Sequence, residues 1–232
     1  MDRQAETPAR TRPGRPEDAR RVAELHAGQI STGFLSFLGP RFLARLYRRM
    51  VRSPHAFVLV AETSGGPATY GGPATGEQDP AGRDPGGTLG RREASPVLGF
   101  VAGATDLAAL YRSFLVRDGV PAALAVAPRL ALSWRRALET LRHGQGGAGT
   151  ARGTELLAIA VDPAAAGRGI GRQLVDGFLA EVAARRAEAA YVVVGATNER
   201  AVALYRRAGF AEAERFELHP GTESLVLTWD RT

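Results

Sequence analysis

The sequence predicts an α/β (α+β) protein, organised as a short flexible tail over 1–14 followed by a single domain over 15–232. Three observations carry this expectation. The run "ELLAIAV" (155–161) is apolar without polar alternation, which implies a strand buried on both faces. It is followed by a glycine-rich turn, an amphipathic helical pattern and a second such run, "YVVVGA" (191–196). Short runs rich in β-branched residues also stand at 56–61 and 97–103, and "AERFELH" and "SLVLTWD" close the chain. The strand, helix, strand order over 155–196 implies a parallel pair joined by a right-handed crossover.

The elements follow in order. The tail ends in a weak edge strand at most, since "ARTR" carries little strand signal. A first helix starts at Pro16, with Glu17 and Asp18 in its first turn, where acids favour the helix dipole, and stops near Gly28. A second begins at Pro40 and ends before Pro54. It sets Arg41, Arg45, Arg48, Arg49 and Arg52 against Phe42, Leu43, Leu46, Tyr47 and Met50 at helical spacing, so it presents either a solvated face or a phosphate-binding one. "AFVLVA" and "VLGFVAG" read as hairpin strands. Residues 63–96 between them are rich in Gly and Pro and repeat GGPAT, a composition that implies a disordered loop. Residues 106–150 read as a helical insertion, broken at Pro121 and Pro128, that packs on the domain or forms a homodimer contact. Further on, Ile170, Leu174, Phe178 and Val182 recur four apart. Asn198 caps a last helix that Gly209 closes.

Composition excludes several chemistries. There is no cysteine, so disulfides, thiolate metal sites and cysteine nucleophiles are out. His26, His55, His143 and His219 are scattered, and no metal site is expected. No apolar run reaches membrane-spanning length, and the expectation is a cytoplasmic protein without a membrane partner. The net charge of +6 arises in residues 1–60, and all the basic residues are arginines. Without a stacking platform among them, nucleic acid is not an expected partner.

The glycine-rich turn raises the functional question. Such a turn entering a helix presents unpaired backbone N–H groups at the positive end of the helix dipole, an arrangement that binds phosphates. Gly167, Gly169 and Gly171 allow close approach, and Arg168 and Arg172 can add charge-assisted bonds. The spacing fits neither GxxxxGK[ST] nor GxGxxG. The turn therefore holds a polyphosphate of another family or is a plain connection.

The segment Ala166-Gly167-Arg168-Gly169-Ile170-Gly171 after a buried strand, and "NERAVALYRRAGF" from Asn198 to Phe210, resemble the two signatures of the GNAT superfamily of acetyl-CoA-dependent N-acetyltransferases. The likeness is specific over 154–230, looser over 15–61 and 97–104, and absent from 63–96 and 106–150. It implies a mixed, mostly antiparallel sheet with a central splayed parallel pair flanked by helices, plus the insertion. It also implies acetyl-CoA as co-substrate and direct acetyl transfer to a primary amine, on a small molecule or a protein, through a ternary complex. Two departures stand out: Ala166 replaces the usual Arg or Gln, and Val193 stands where members that acetylate protein N-termini often carry a glutamate base.

The chemistry needs a proton acceptor, an oxyanion donor and a proton donor. The resemblance implies that a bulge in "AIAV" leaves backbone N–H groups near Ile159 and Val161 free, with Ala160 between them, for pantetheine and the acetyl carbonyl. With these, Gly167, Arg168, Gly169, Ile170, Gly171, Arg172 and Asn198 form the expected cofactor set. Tyr205 matches the family's general acid or is a core aromatic, and Asn198 touches the cofactor or only caps its helix. Glu155 is the base or a solvated strand end; His219 with Glu223, or a water, are the rivals. The alternative function is a non-catalytic acyl-CoA-binding or basic interaction module on the same fold.

Overall fold

The computed structural model describes residues 9–30, 38–63, 97–114, 116–117, 152–219 and 222–231. The GGPAT-bearing loop, except Thr63, and most of the 106–150 insertion lie outside the described residues. Seven strands form one sheet: β1 (Ala9–Pro13), β2 (Ala56–Thr63), β3 (Val97–Ala104), β4 (Thr154–Val161), β5 (Ala189–Gly195), β6 (Ala211–His219) and β7 (Thr222–Asp230), in the order β1-β2-β3-β4-β5-β7-β6. All neighbours pair antiparallel except β4 and β5, which run parallel as the crossover order requires.

Helices cover the two faces unequally. α1 (Ala19–Gln29) and α2 (Pro40–Val51) lie on one face, where Val22, Leu43, Tyr47 and Met50 pack with Val58, Val60, Phe100 and Ala102. α3 (Ile170–Ala184) and α4 (Glu199–Arg207) lie on the other, where Ile170, Leu174, Phe178 and Val182 are buried with Leu59, Val101, Val192 and Leu227. The four-residue recurrence seen in the sequence is thus the inward stripe of α3. Residues 107–114 are helical, and Leu110 and Phe114 are buried.

Two sequence expectations shift. Pro16–Asp18 is a 3₁₀ turn, and α1 proper starts at Ala19. Residues 9–13, assigned to the flexible tail, form the edge strand β1. Arg12 fixes it by donating to Glu62 at 2.6 Å and to Asp18 at 2.7 and 3.0 Å, and Arg10 donates to Glu62 at 2.8 Å. Buried opposite charges, not strand propensity, hold this edge.

Candidate active site

The site begins with a failure of pairing. β4 and β5 share only the register pairs Thr154↔Ala190 and Glu155↔Tyr191, and beyond them the strands part. The facing edges of residues 156–161 and 192–195 are left without a ladder. β4 is also bulged, because Gly103 opposes Leu156 while Ala102 opposes Ala158, so Leu157 is the extra residue. The bulge lies just before "AIAV" and not within it.

The bulge resets which groups face the opening. Asp162 N–H donates to Leu98 O at 2.7 Å, across the β3 side. Strand alternation then turns the Ala160 and Ala158 amides toward β3, and the Ile159 and Val161 amides toward the opening. The Ala160 amide thus serves the β3 ladder, and its side chain is buried under α1 and α2.

At the end of β4 the chain turns through Asp162, whose carboxylate accepts from Ala164 N at 2.9 Å and pairs with Arg21 of α1. Gly167 and Gly169 both have positive φ, +80° and +74°. Gly169 heads α3 in the left-handed region with no side-chain cap. The first backbone bond into the helix is Gln173 N–H to Gly169 O at 3.1 Å, so the amides of Ile170, Gly171 and Arg172 precede the ladder. A Cβ on Gly171 would lie 3.6 Å from Leu204 and 4.0 Å from Val161, which places Gly171 between the mouth of β4 and α4. Arg168 is exposed beside the loop. Arg172 is already engaged, donating to Asp176 at 2.8 and 2.9 Å and to Arg207 O at 2.7 Å.

α4 flanks the opening from the side. Asn198 Oδ1 accepts from Ala201 N at 3.2 Å, so its oxygen is the helix cap. Tyr205 is buried, its ring 5.7 Å from that of Phe210, and burial pushes its phenol well above the ordinary range. Among the described residues its hydroxyl has no hydrogen-bond partner. The unpaired side-chain oxygens sealed from solvent are those of Thr11 and Thr154, so the Tyr205 oxygen still reaches accessible space.

Glu155 stands where the two strands part. Tyr191, opposite it on β5, donates its hydroxyl to the carboxylate at 2.9 Å. Burial raises the Glu155 pKa above the usual carboxylate range, and the bond from Tyr191 pulls it only partly back. The rivals are placed elsewhere: Glu223 is ion-paired with Arg215 at 2.8 Å, and His219 pairs with Thr222 at the far end of the β6–β7 ladder. Sequence reading missed Tyr191. Its one signal is a residue with a polar tip opening an otherwise apolar strand. It also missed the buried pair of His26 Nδ1 and the Tyr47 hydroxyl, 2.6 Å apart beneath Phe100.

A separate cavity of about 450 Å³ lies between α4 and the β6–β7 hairpin, with Arg206, Arg207 and Arg215 among its lining. Arg206 and Arg215 are paired with Glu212, at 2.9 Å each. Among the described residues no three His, Asp or Glu side chains converge as a metal-ligand set, and no helix is long and apolar enough to cross a membrane.

The family model described as "Acetyltransferase (GNAT) family" matches residues 92–210. No curated protein sequence matches the chain. Solved structures with similar folds include NAA60 of Arabidopsis thaliana in complex with acetyl-CoA, at 17% identity, TM-score 0.53, and coverage of 96% of this chain and 98% of that one. An N-acetyltransferase from Staphylococcus aureus Mu50 is 15% identical, with TM-score 0.55 and coverage of 96% and 98%. A spermidine N-acetyltransferase SpeG chimera from Vibrio cholerae and hSSAT is 13% identical, with TM-score 0.55 and coverage of 96% and 95%.

Proposed function

The chain belongs to the acetyltransferase (GNAT) family, and we propose that it uses acetyl-CoA to acetylate a primary amine directly, with both substrates bound at once. The observation that carries this reading is the opening between β4 and β5. It has unpaired strand amides along one wall, helix-start amides at one end and a carboxylate with raised pKa at the other.

Acetyl-CoA fits these residues. The amides of Ile170, Gly171 and Arg172 suit a pyrophosphate, because they point out of the positive end of α3 and no side chain caps them. A Cβ at Gly167 or Gly169 would meet no protein atom within 4 Å, so the space in front of the turn is open. The Ile159 and Val161 amides can bond pantetheine and the acetyl carbonyl, where donors fixed in advance stabilise developing negative charge. Asn198 sets the start of α4, and Arg168 adds positive charge at the mouth.

The proton steps then divide between two side chains. Glu155 takes a proton from the incoming ammonium, leaving a lone pair to attack the thioester carbon. Its raised pKa brings it closer to an amine's range than an exposed glutamate. As the carbon–sulfur bond breaks, Tyr205, neutral throughout the working pH range, donates its proton to the thiolate. The nitrogen's remaining extra proton then passes through water to the phenolate, Glu155 gives its proton up to solvent, and one proton is released per amide formed. A module that bound acyl-CoA without turnover would need neither group. The test is initial-rate kinetics of CoA release with both substrates varied. Intersecting lines are expected, and parallel lines would contradict direct transfer.

A further inference from the structure

Arg20 and Arg21 stand side by side near the start of α1 and do different things. Arg20 is exposed and pairs along the helix with Glu24 at 3.2 Å. Arg21 reaches off the helix. One of its guanidinium nitrogens pairs with Asp162, where β4 ends, and its Nε donates to Val97 O, where β3 begins, at 3.4 Å. A single side chain thus ties α1, on one face of the sheet, to the turn that enters α3 on the other.

Asp162 organises the entry of that turn. Its backbone N–H donates to Leu98 O at 2.7 Å, its carbonyl accepts from Ala165 N at 2.8 Å, and its Oδ1 accepts from Ala164 N at 2.9 Å. Oδ2 is taken by Arg21. With one oxygen on the turn and the other on α1, the carboxylate is held in one orientation. Beyond it come Gly167 and Gly169, both at positive φ, whose backbone is the freest in the turn.

We propose that Arg21 is a positioning residue for acetyl-CoA, acting through Asp162: it holds the entry of the glycine turn so that the amides of Ile170, Gly171 and Arg172 meet the pyrophosphate. The inference rests on the phosphate-binding reading of the turn and extends it to α1. The pair is partly exposed, so it adds little to folding stability, and its effect falls on the geometry of the turn.

The experiment is a double-mutant cycle in acetyl-CoA affinity, read by calorimetry on the full chain, with Arg21→Gln, Asp162→Asn and the two together. Asp162→Asn keeps an oxygen for Ala164 N and removes the charge that Arg21 pairs. Each single variant should weaken binding about five- to tenfold, the scale of one partly exposed hydrogen bond to a charged group, and each reads the tie from its own side if the other folds poorly. Because Arg21 acts through Asp162, adding Arg21→Gln to Asp162→Asn should change the affinity by less than about twofold. Circular dichroism melts of all three should stay within a few degrees of wild type. Single variants that bind within about twofold of wild type overturn the inference, as does a lowered melt with unchanged affinity, which is what a purely structural tie would give. A second loss of more than about twofold in the double variant also overturns it, since Arg21 would then act independently of Asp162. Gly169→Ala, titrated alongside, separates the two readings. If it too binds as wild type does, the phosphate reading of the turn falls as well; if it loses binding while Arg21→Gln does not, only this inference falls.

Discussion

Replacing Gly169 by Ala separates a folding role from a binding role for the glycine turn. Gly169 has φ +74°, and a Cβ built there meets no protein atom within 4 Å. The folding cost is therefore conformational alone, about 1–2 kcal/mol for a non-glycine residue in the left-handed region. In a chain of this size that lowers the melting temperature by about 2–8 °C. Binding suffers more, because the new methyl stands in front of the helix-start amides. Weakening two charge-assisted bonds, each worth about 1.5–3 kcal/mol, raises the dissociation constant of acetyl-CoA by roughly 10² to 10⁴. Gly153 is the control for a glycine that packing demands: its φ is +108°, and a Cβ there would lie 2.1 Å from the Ala189 carbonyl oxygen. Gly153→Ala should fail in the melt before it fails in binding. Circular dichroism melts and calorimetric titration with acetyl-CoA read the two effects. If Gly169→Ala, or the bulkier Gly169→Val, binds acetyl-CoA within threefold of wild type, the phosphate assignment of the turn is wrong.

Three further outcomes follow from the same geometry. Tyr205→Phe keeps the buried ring and should lower kcat by about 10² to 10⁴ with acetyl-CoA affinity nearly unchanged, and a wild-type rate across the pH range would reduce Tyr205 to a core aromatic. Glu155→Gln should lower kcat by a similar factor and remove the acidic limb of the pH–rate profile. Because the folded pKa of Glu155 is raised, its ionised form costs stability at neutral pH, so the variant should melt higher than wild type at pH 7 and lose that advantage below the unfolded carboxylate range. His26 is the opposite case, lowered by burial from 6.5 to about 4. The unfolded chain binds its proton first as pH falls, so urea denaturation should show a loss of about 2 kcal/mol between pH 7 and pH 5, absent in His26→Gln.

What the sequence could convey depended on how local the cause was. The stripe of Ile170, Leu174, Phe178 and Val182 is written in residue spacing, and the structure buries it. The apolar runs of β4 and β5, which imply burial on both faces, instead alternate fully buried residues with half-buried ones, and Val193 is exposed. Asn198 as a cap and Gly209 at φ +97° are likewise local chemistry. The edge strand β1 was only weakly legible, because what fixes it, Arg12 finding Glu62, spans fifty residues of chain. The place of Ala160 was not legible, since the bulge at Leu157 decides which amides face β3 and which face the opening, and register belongs to the pair of strands. Glu155 was visible as a candidate, but Tyr191, which holds it, becomes its neighbour only through the two rungs that join β4 and β5.

The central claim is direct acetyl transfer through the opening between β4 and β5, and one measurement tests it most directly. Purified protein is mixed with acetyl-CoA labelled in the acetyl group, with and without phenethylamine, and both the protein and the small molecules are followed by mass spectrometry. The account predicts N-acetyl product and free CoA in equal amounts, formed only when both substrates are present, with no label on the protein at any time. Label accumulating on the protein in the absence of amine, and passing to the amine when it is added, would contradict it.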